Sequence, residues 1–400
     1  MRPSDADSGL PVSDITTSMA AGGSGAWRVH YRSLRRREAG EDVIVLSVGD
    51  PDFDTPPAVV DAAVQALREG DTHYTVSGGV GPLANAIAAL EADRLGCAVT
   101  PSQVVTAVGA QNALYVLFRA LLDAGDEAIL LSPPYTMFAG LASACDATCV
   151  EVPLDASAGF ALDVAAVARA ITPCTRLVLA NFPHNPSGAC ADRDALLELV
   201  ELCREHDIWL VSDEAYADLV YEGEFTSPAS LPTSTSHVVV VRSLSKSHAM
   251  TGWRIGWTVS TPSLAVPLRN LISHVSYGSP GFIQAAGVTA ITGQLSEPAM
   301  MKATYRARRD AFVSALGEIG QLRVLPPQAG IFCMVDVSGT GLDGESFSER
   351  LLNEADVSVL MGGAFSPDIA QFVRVSLCEP EERLLEATTR IRRFVASLNV

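Results

Sequence analysis

The segment SLSKSHAMTGWRIGW (243–257) sets two hydroxyls, an amine and a guanidinium close together in the chain: Ser243, Ser245, Lys246 and Arg254. The chain has 28 lysines and arginines; only Lys246 and Lys302 are lysines, which leaves 26 arginines. A guanidinium stays protonated and cannot serve as a nucleophile or base. An ammonium in a desolvating site can lose its proton and form an imine. A lysine kept between two serines in so arginine-rich a chain points to covalent chemistry at its amine. Arg254, eight residues on, suits bidentate recognition of a phosphate. The plainer reading of Lys246 is a solvated surface lysine.

Other polar residues fall where apolar runs end. WLVSDEAYADLVY (209–221) delivers Asp213 to the end of an apolar strand, with Tyr216 three residues on. A carboxylate in that setting needs a partner, such as a protonated ring nitrogen; a helix N-cap is the competing role. QVVTAVGAQNAL (103–114) runs from a strand through Gly109 and Ala110 into a helix, whose free N–H groups would suit an anion. An ordinary strand-to-helix turn fits equally. LSPPYTMF (131–138) presents Tyr135, either to stack on a flat ring or simply to pack its loop. Asn185 in NFPHNPSGA (181–189) either donates to a ligand oxygen or closes an Asx-turn. Arg374 sits inside FVRVSL, where it needs an anion: a substrate carboxylate or a structural salt bridge.

The elements that must position these groups alternate. Strands are expected at 43–48, 103–108, 127–132, 148–153, 176–181, 209–213, 237–243 and 254–260, with helices between them such as 112–125 and 194–207. This alternation predicts an α/β fold with a mainly parallel sheet, whose ligands sit beyond the carboxyl ends of the strands. After about residue 279 a long helical stretch leads to GIFCMVDV and FVRVSL, a second, smaller α/β unit. The division expected is an arm and part of the small domain at 1–48, a large domain at 49–280 and a small domain at 281–400.

Composition narrows the partners. A net charge of −18 argues against nucleic acid and anionic membrane surfaces. No signal peptide and no apolar run near the length of a membrane span is visible. The eight cysteines form no CxxC pair and no zinc spacing, so no metal site is expected and a reducing cytoplasm is.

Taken together, SVGDPDFDTP (47–56), THY (72–74), VGAQNAL (108–114), NFPHNPSGA, VSDEAYADLVYEGE (211–224), SLSKSHAMTGWRIGW and VRVSL resemble the class I/II aminotransferases, the fold-type I pyridoxal-phosphate enzymes. The resemblance implies a large domain with a seven-stranded, mainly parallel sheet between helices, plus a smaller α/β domain. It implies that Lys246 holds the cofactor covalently and moves the proton. Asp213 would partner the pyridine nitrogen, Asn185 and Tyr216 the ring hydroxyl, and Tyr135 the ring face. Ala110, Gln111, Ser243, Ser245 and Arg254 would hold the phosphate. Tyr74 would reach the phosphate of a neighbouring subunit, so a homodimer is implied. Gly49 and Arg374, with Asn185, would hold the substrate α-carboxylate.

A closer likeness, carried by AWRVHYRSLRRREAGEDVIVLSVGDPDFDTP, PHNPSGA, SPASLP (227–232) and YGSPGFIQAA (277–286), is to arginine:pyruvate aminotransferases. It implies a guanidino amino donor and a 2-oxo acid acceptor such as pyruvate, exchanged by a ping-pong cycle. A modified, enduracididine-type guanidino donor, or a lyase or cyclase on the same fold, are the other activities this resemblance admits. Ala84 stands where relatives usually carry arginine.

Overall fold

The structure, a computed structural model, describes residues 13–16, 27–75, 78, 81–232 and 236–398. Most of the N-terminal arm, together with Val76, Ser77, Gly79 and Val80 of the segment after Tyr74, lies outside the described residues.

Seven strands form one sheet: β2 (Val104–Val108), β3 (Glu127–Ser132), β4 (Thr148–Pro153), β5 (Thr175–Asn181), β6 (Trp209–Asp213), β7 (Val238–Ser243) and β8 (Ile255–Val259), in the order β2-β8-β7-β6-β5-β3-β4. Strand β7, VVVVRS, is buried along its whole length, as a strand covered on both faces must be. Each such valine contributes about 1.5–3 kcal/mol through burial. One face of the sheet packs on helices Ala110–Leu121 and Pro262–Val275, and the other on Pro57–Arg68, Pro82–Leu95 and Gly281–Thr292.

Strand β8 alone runs against the rest: it pairs antiparallel with both β7 and β2. The cause is the connection before it. Residues 244–254 are too few for a crossover helix, so the chain turns back beside β7. This reversal puts the start of β8 at the same edge as the ends of β2, β5, β6 and β7. The register lines up that edge: Asn181 pairs with Asp213, Asp213 with Val241, Ser243 with Gly256, and Val108 with Ile255.

A second, antiparallel sheet has the order β12-β13-β10-β9, from β9 (Arg323–Leu325), β10 (Phe332–Asp336), β12 (Leu360–Met361) and β13 (Phe372–Ser376). Helices Glu297–Gly317, Gly344–Ala355 and Glu381–Ser397 cover it around Tyr305, Phe312, Phe347 and Phe394. The strand expected at 43–48 is shorter and placed elsewhere. Only β1 (Ile44–Val45) is extended, and it pairs in parallel with β11 (Val357–Ser358), away from the large sheet. The basic run near the start forms helix Arg28–Glu38. It docks on Gly344–Ala355 through Arg28 and Arg32 to Glu349 and through Arg36 to Asp356, just past that helix's end. No described helix is long and apolar enough to cross a membrane.

Candidate active site

A cavity of about 460 Å³ opens where the edge of the large sheet faces the second sheet. Ala110 and Gln111 reach it from the first turn of the helix after β2, and Tyr135 from the loop after β3. Asn185 follows β5, Asp213 ends β6 with Tyr216 just beyond, and Ser243 ends β7 with Ser245 and Lys246 just beyond. Arg254 enters just before β8, Gly49 just after β1, and Arg374 from the middle of β13. Twelve of the thirteen residues singled out in the sequence therefore line one cavity. The exception is Tyr74. Its side chain is 87% exposed and its ring lies 4.7 Å from that of Tyr277, outside the cavity of its own chain.

Lys246 is half-buried rather than solvated, and its Nζ donates to the Gly49 carbonyl at 2.6 Å. Burial lowers its pKa, opposed by Cys378 and Asp50 and aided by Arg374 and Arg254. Gly49 must be glycine here, because a Cβ would lie 2.1 Å from the Phe332 ring. Asp213 caps the turn by accepting from the Ala215 N–H at 3.2 Å, and its own carbonyl accepts from Asn181 Nδ2 at 3.2 Å. Burial pushes its carboxyl up to about 7; the Ala215 bond opposes this and the Glu214 charge adds to it. Among the described residues it forms no ion pair.

Arg254 has φ 56°, in the left-handed region, which costs an L-residue about 1–2 kcal/mol. The guanidinium lies at the start of the helix after β2, where Nη2 donates to the Val108 carbonyl at 3.4 Å, and its Nη1 donates to the Thr251 carbonyl at 2.8 Å. The approach of β8 to that helix also needs Gly256, since a Cβ would meet Gly109 C at 2.5 Å and Ala110 N at 2.6 Å.

Arg374 is 1% exposed and makes no salt bridge among the described residues. It donates to Asn185 Oδ1 at 2.9 Å and to the Ser47 carbonyl at 3.0 Å, and it lies 3.7 Å over the Phe332 ring. Burial lowers its pKa to about 10. Asn185 is held from behind as well, its N–H donating to Asn181 Oδ1 at 3.1 Å. Its side chain thus points at Arg374 instead of closing an Asx-turn. Tyr135 both packs edge-on against Phe138 at 5.4 Å and lines the cavity.

The charge pattern is specific. Three cations, Lys246, Arg254 and Arg374, and two carboxylates, Asp213 and Asp50, face one cavity, and among the described residues none of them forms an ion pair; Asp50 accepts from Thr251 Oγ1 at 2.7 Å and acts on Lys246 through its charge. Asp213 and Arg374 are buried, and buried charges left so are costly unless a ligand completes them. The complement is a ligand with a cationic group for Asp213 and separate anionic groups for Arg254 and Arg374. Among the described residues no group of three or more His, Cys, Asp or Glu could hold a metal ion.

Sequence reasoning missed Asn181, Phe332 and Trp27, which also line the cavity. Asn181 had a signal: it closes RLVLAN as Asp213 closes WLVSD. Phe332 and Trp27 had none, being ordinary aromatics until the second sheet and helix Arg28–Glu38 are in place. Ala84 is fully buried on the far face of the large sheet, away from the cavity.

Comparison with known proteins gives the same assignment. The profile of the family "Aminotransferase class I and II" matches residues 41–391. The arginine–pyruvate transaminase AruH of Pseudomonas aeruginosa is 46% identical over 389 residues, covering 97% of this chain and 99% of that protein. The aspartate/prephenate aminotransferase of Thermus thermophilus is 38% identical over 373 residues, covering 92% and 94%. A solved structure of a Thermus thermophilus aspartate aminotransferase mutant superposes with a TM-score of 0.91 at 34% identity, covering 96% of this chain and 100% of that one. The aspartate aminotransferase of Thermotoga maritima does so with 0.91 at 32%, covering 96% and 100%. By profile, relatives and fold, the chain belongs to the class I and II aminotransferases.

Proposed function

We propose that this aminotransferase uses pyridoxal phosphate to move the α-amino group of arginine, or of a related guanidino amino acid, to a 2-oxo acid such as pyruvate. The observation that carries the cofactor is the set of unpaired charges. Asp213 suits the pyridinium nitrogen, and Arg254 with the Ala110 and Gln111 N–H groups, Ser243 and Ser245 suits the phosphate. Arg374, with Asn185 and Gly49, suits the substrate carboxylate. The guanidino donor is supported by the 46% identity to the arginine–pyruvate transaminase.

When bound, the cofactor supplies an electron sink for charge developing at the substrate Cα. The rest is done by side chains. Asp213 keeps a proton at the ring nitrogen, and Tyr216 and Asn185 orient the ring hydroxyl while Tyr135 covers a face. Lys246 anchors the cofactor through Nζ. Once freed it is an amine whose pKa burial lowers, which favours the neutral form that takes a proton and returns it. Arginine at this position could do neither.

We read 49–280 as the cofactor domain and 281–400, with 1–48, as the domain that brings Arg374. Tyr74, exposed and outside the lining of its own cavity, fits a role in the site of a second copy within a homodimer. Eight free cysteines support a reducing, cytoplasmic setting.

The test is a visible spectrum of the purified protein, then titration with L-arginine. Loss of the bound-cofactor band with stoichiometric release of the 2-oxo acid supports the whole reading. A band indifferent to L-arginine moves the donor to another amino acid. No band after adding pyridoxal phosphate overturns the cofactor assignment.

A further inference from the structure

Behind the cavity floor lies a second charged cluster that the chemistry above does not use. Arg242 Nη2 is 2.5 Å from Glu214 Oε2, and its Nε is 3.3 Å from Glu91 Oε2. Glu214 Oε1 accepts from Ser212 Oγ at 2.9 Å and from Ser227 Oγ at 2.6 Å. Glu91 Oε1 accepts from Trp257 Nε1 at 3.2 Å. Glu91, Glu214, Arg242 and Trp257 are 0%, 2%, 4% and 1% exposed. Two carboxylates thus face one guanidinium in the core. Arg94, partly exposed, lies 3.5 Å from Glu91 and divides its charge with Asp218 at 2.6 Å.

Such a cluster is poor value as a stabiliser, because apolar residues of the same volume usually serve at least as well. Its placement suggests another purpose. Glu214 adjoins Asp213, Arg242 adjoins Ser243 and leads to Lys246, and Trp257 adjoins Gly256, which seats the helix start that Arg254 faces. Helix Pro82–Leu95 contributes Glu91. One ion-pair cluster therefore grips all three strand ends that carry the site.

We propose that Glu91, Arg242 and Glu214 are positioning residues for the cofactor site, locking the ends of β6, β7 and β8 together and placing behind Asp213 a carboxylate held by Arg242, Ser212 and Ser227. The proposal rests on the reading of Asp213 as partner of the cofactor ring nitrogen. Burial alone would lower the Arg242 pKa; Glu214 and then Glu91 reverse this and raise it, so the guanidinium stays charged. The charged groups that face Glu214 are Arg242 from β7 and Glu91 from the helix, with Arg94 and Asp218 beyond them.

The experiment uses the full chain loaded with pyridoxal phosphate. Three readouts are compared: thermal midpoint, pH midpoint of the visible cofactor band, and Kd of the cofactor-free protein for pyridoxal phosphate. Glu214→Gln keeps volume and removes one negative charge, so the band midpoint should fall by about half a pH unit or more. Arg242→Met should weaken cofactor binding about tenfold or more, with partial recovery in Arg242→Lys. If Arg242→Met does not fold, Glu214→Gln and Glu91→Gln carry the test. Variants that melt lower but keep the wild-type band midpoint and Kd overturn this inference alone. A wild type that takes up no pyridoxal phosphate overturns the inference together with the reading beneath it.

Discussion

Replacing Arg374 by methionine separates its two conceivable roles. The guanidinium is 1% exposed, and burial takes its pKa from 12.5 to about 10. A cation whose folded pKa is depressed holds its proton less tightly in the fold than in the unfolded chain. At every pH below about 10 the charge is therefore a penalty, near 3 kcal/mol at 1.36 kcal/mol per unit, and it fades only as pH rises through 10. Methionine removes that penalty and keeps apolar contact with the Phe332 ring. It also leaves Asn185 Oδ1 and the Ser47 carbonyl without their donor, which costs about 1–3 kcal/mol. The terms nearly cancel, so the cofactor-free variant should unfold within about 2 kcal/mol of wild type. Activity should behave differently. Two charge-assisted hydrogen bonds to a substrate carboxylate amount to about 3–6 kcal/mol, so kcat/KM should fall by about 10²–10⁴. Urea unfolding and steady-state kinetics with L-arginine and pyruvate measure both. A variant that loses more than about 4 kcal/mol of stability while its folded fraction turns over within about threefold of wild type would make Arg374 structural and refute the reasoning.

The remaining predictions concern the other charges and the backbone. Lys246→Ala should keep pyridoxal phosphate non-covalently yet lose its covalent absorption band and turnover; a variant with normal turnover would sink the assignment. Asp213, pushed up to about 7, binds a proton more tightly in the cofactor-free fold than in the unfolded chain. That stabilisation is whole below about pH 4 and is lost as pH rises through 7. Cofactor-free Asp213→Asn should therefore lose roughly 2–3 kcal/mol less than wild type between about pH 5 and 8, and parallel melting curves across that range would contradict this. Gly256→Ala drives a Cβ to 2.5 Å from Gly109 C, so it should cost about 1–3 kcal/mol and weaken cofactor affinity. Unchanged affinity in that variant would show that the helix start does not hold the phosphate.

The sequence by itself determined the α/β class and most of the strands, since a strand buried on both faces must be a continuous β-branched run, as in VVVVRS. It also marked Asp213, which closes an apolar run, and Lys246, a rare lysine set between two serines. Very short strands such as β11 and β12 leave no such pattern, and the 43–48 run is apolar whichever sheet it joins. Tertiary structure decided the rest. It turned β8 back so that Arg254 returns beside Ser243, set Arg374 against Asn185 from 189 residues away, and buried Glu91 beneath Arg242. It also left Tyr74 outside the cavity of its own chain. The division follows the range of the forces. Backbone preference and side-chain alternation act over a few residues and are written in order along the chain. Desolvation and charge pairing depend on what packs across the fold, and so exist only once it has closed.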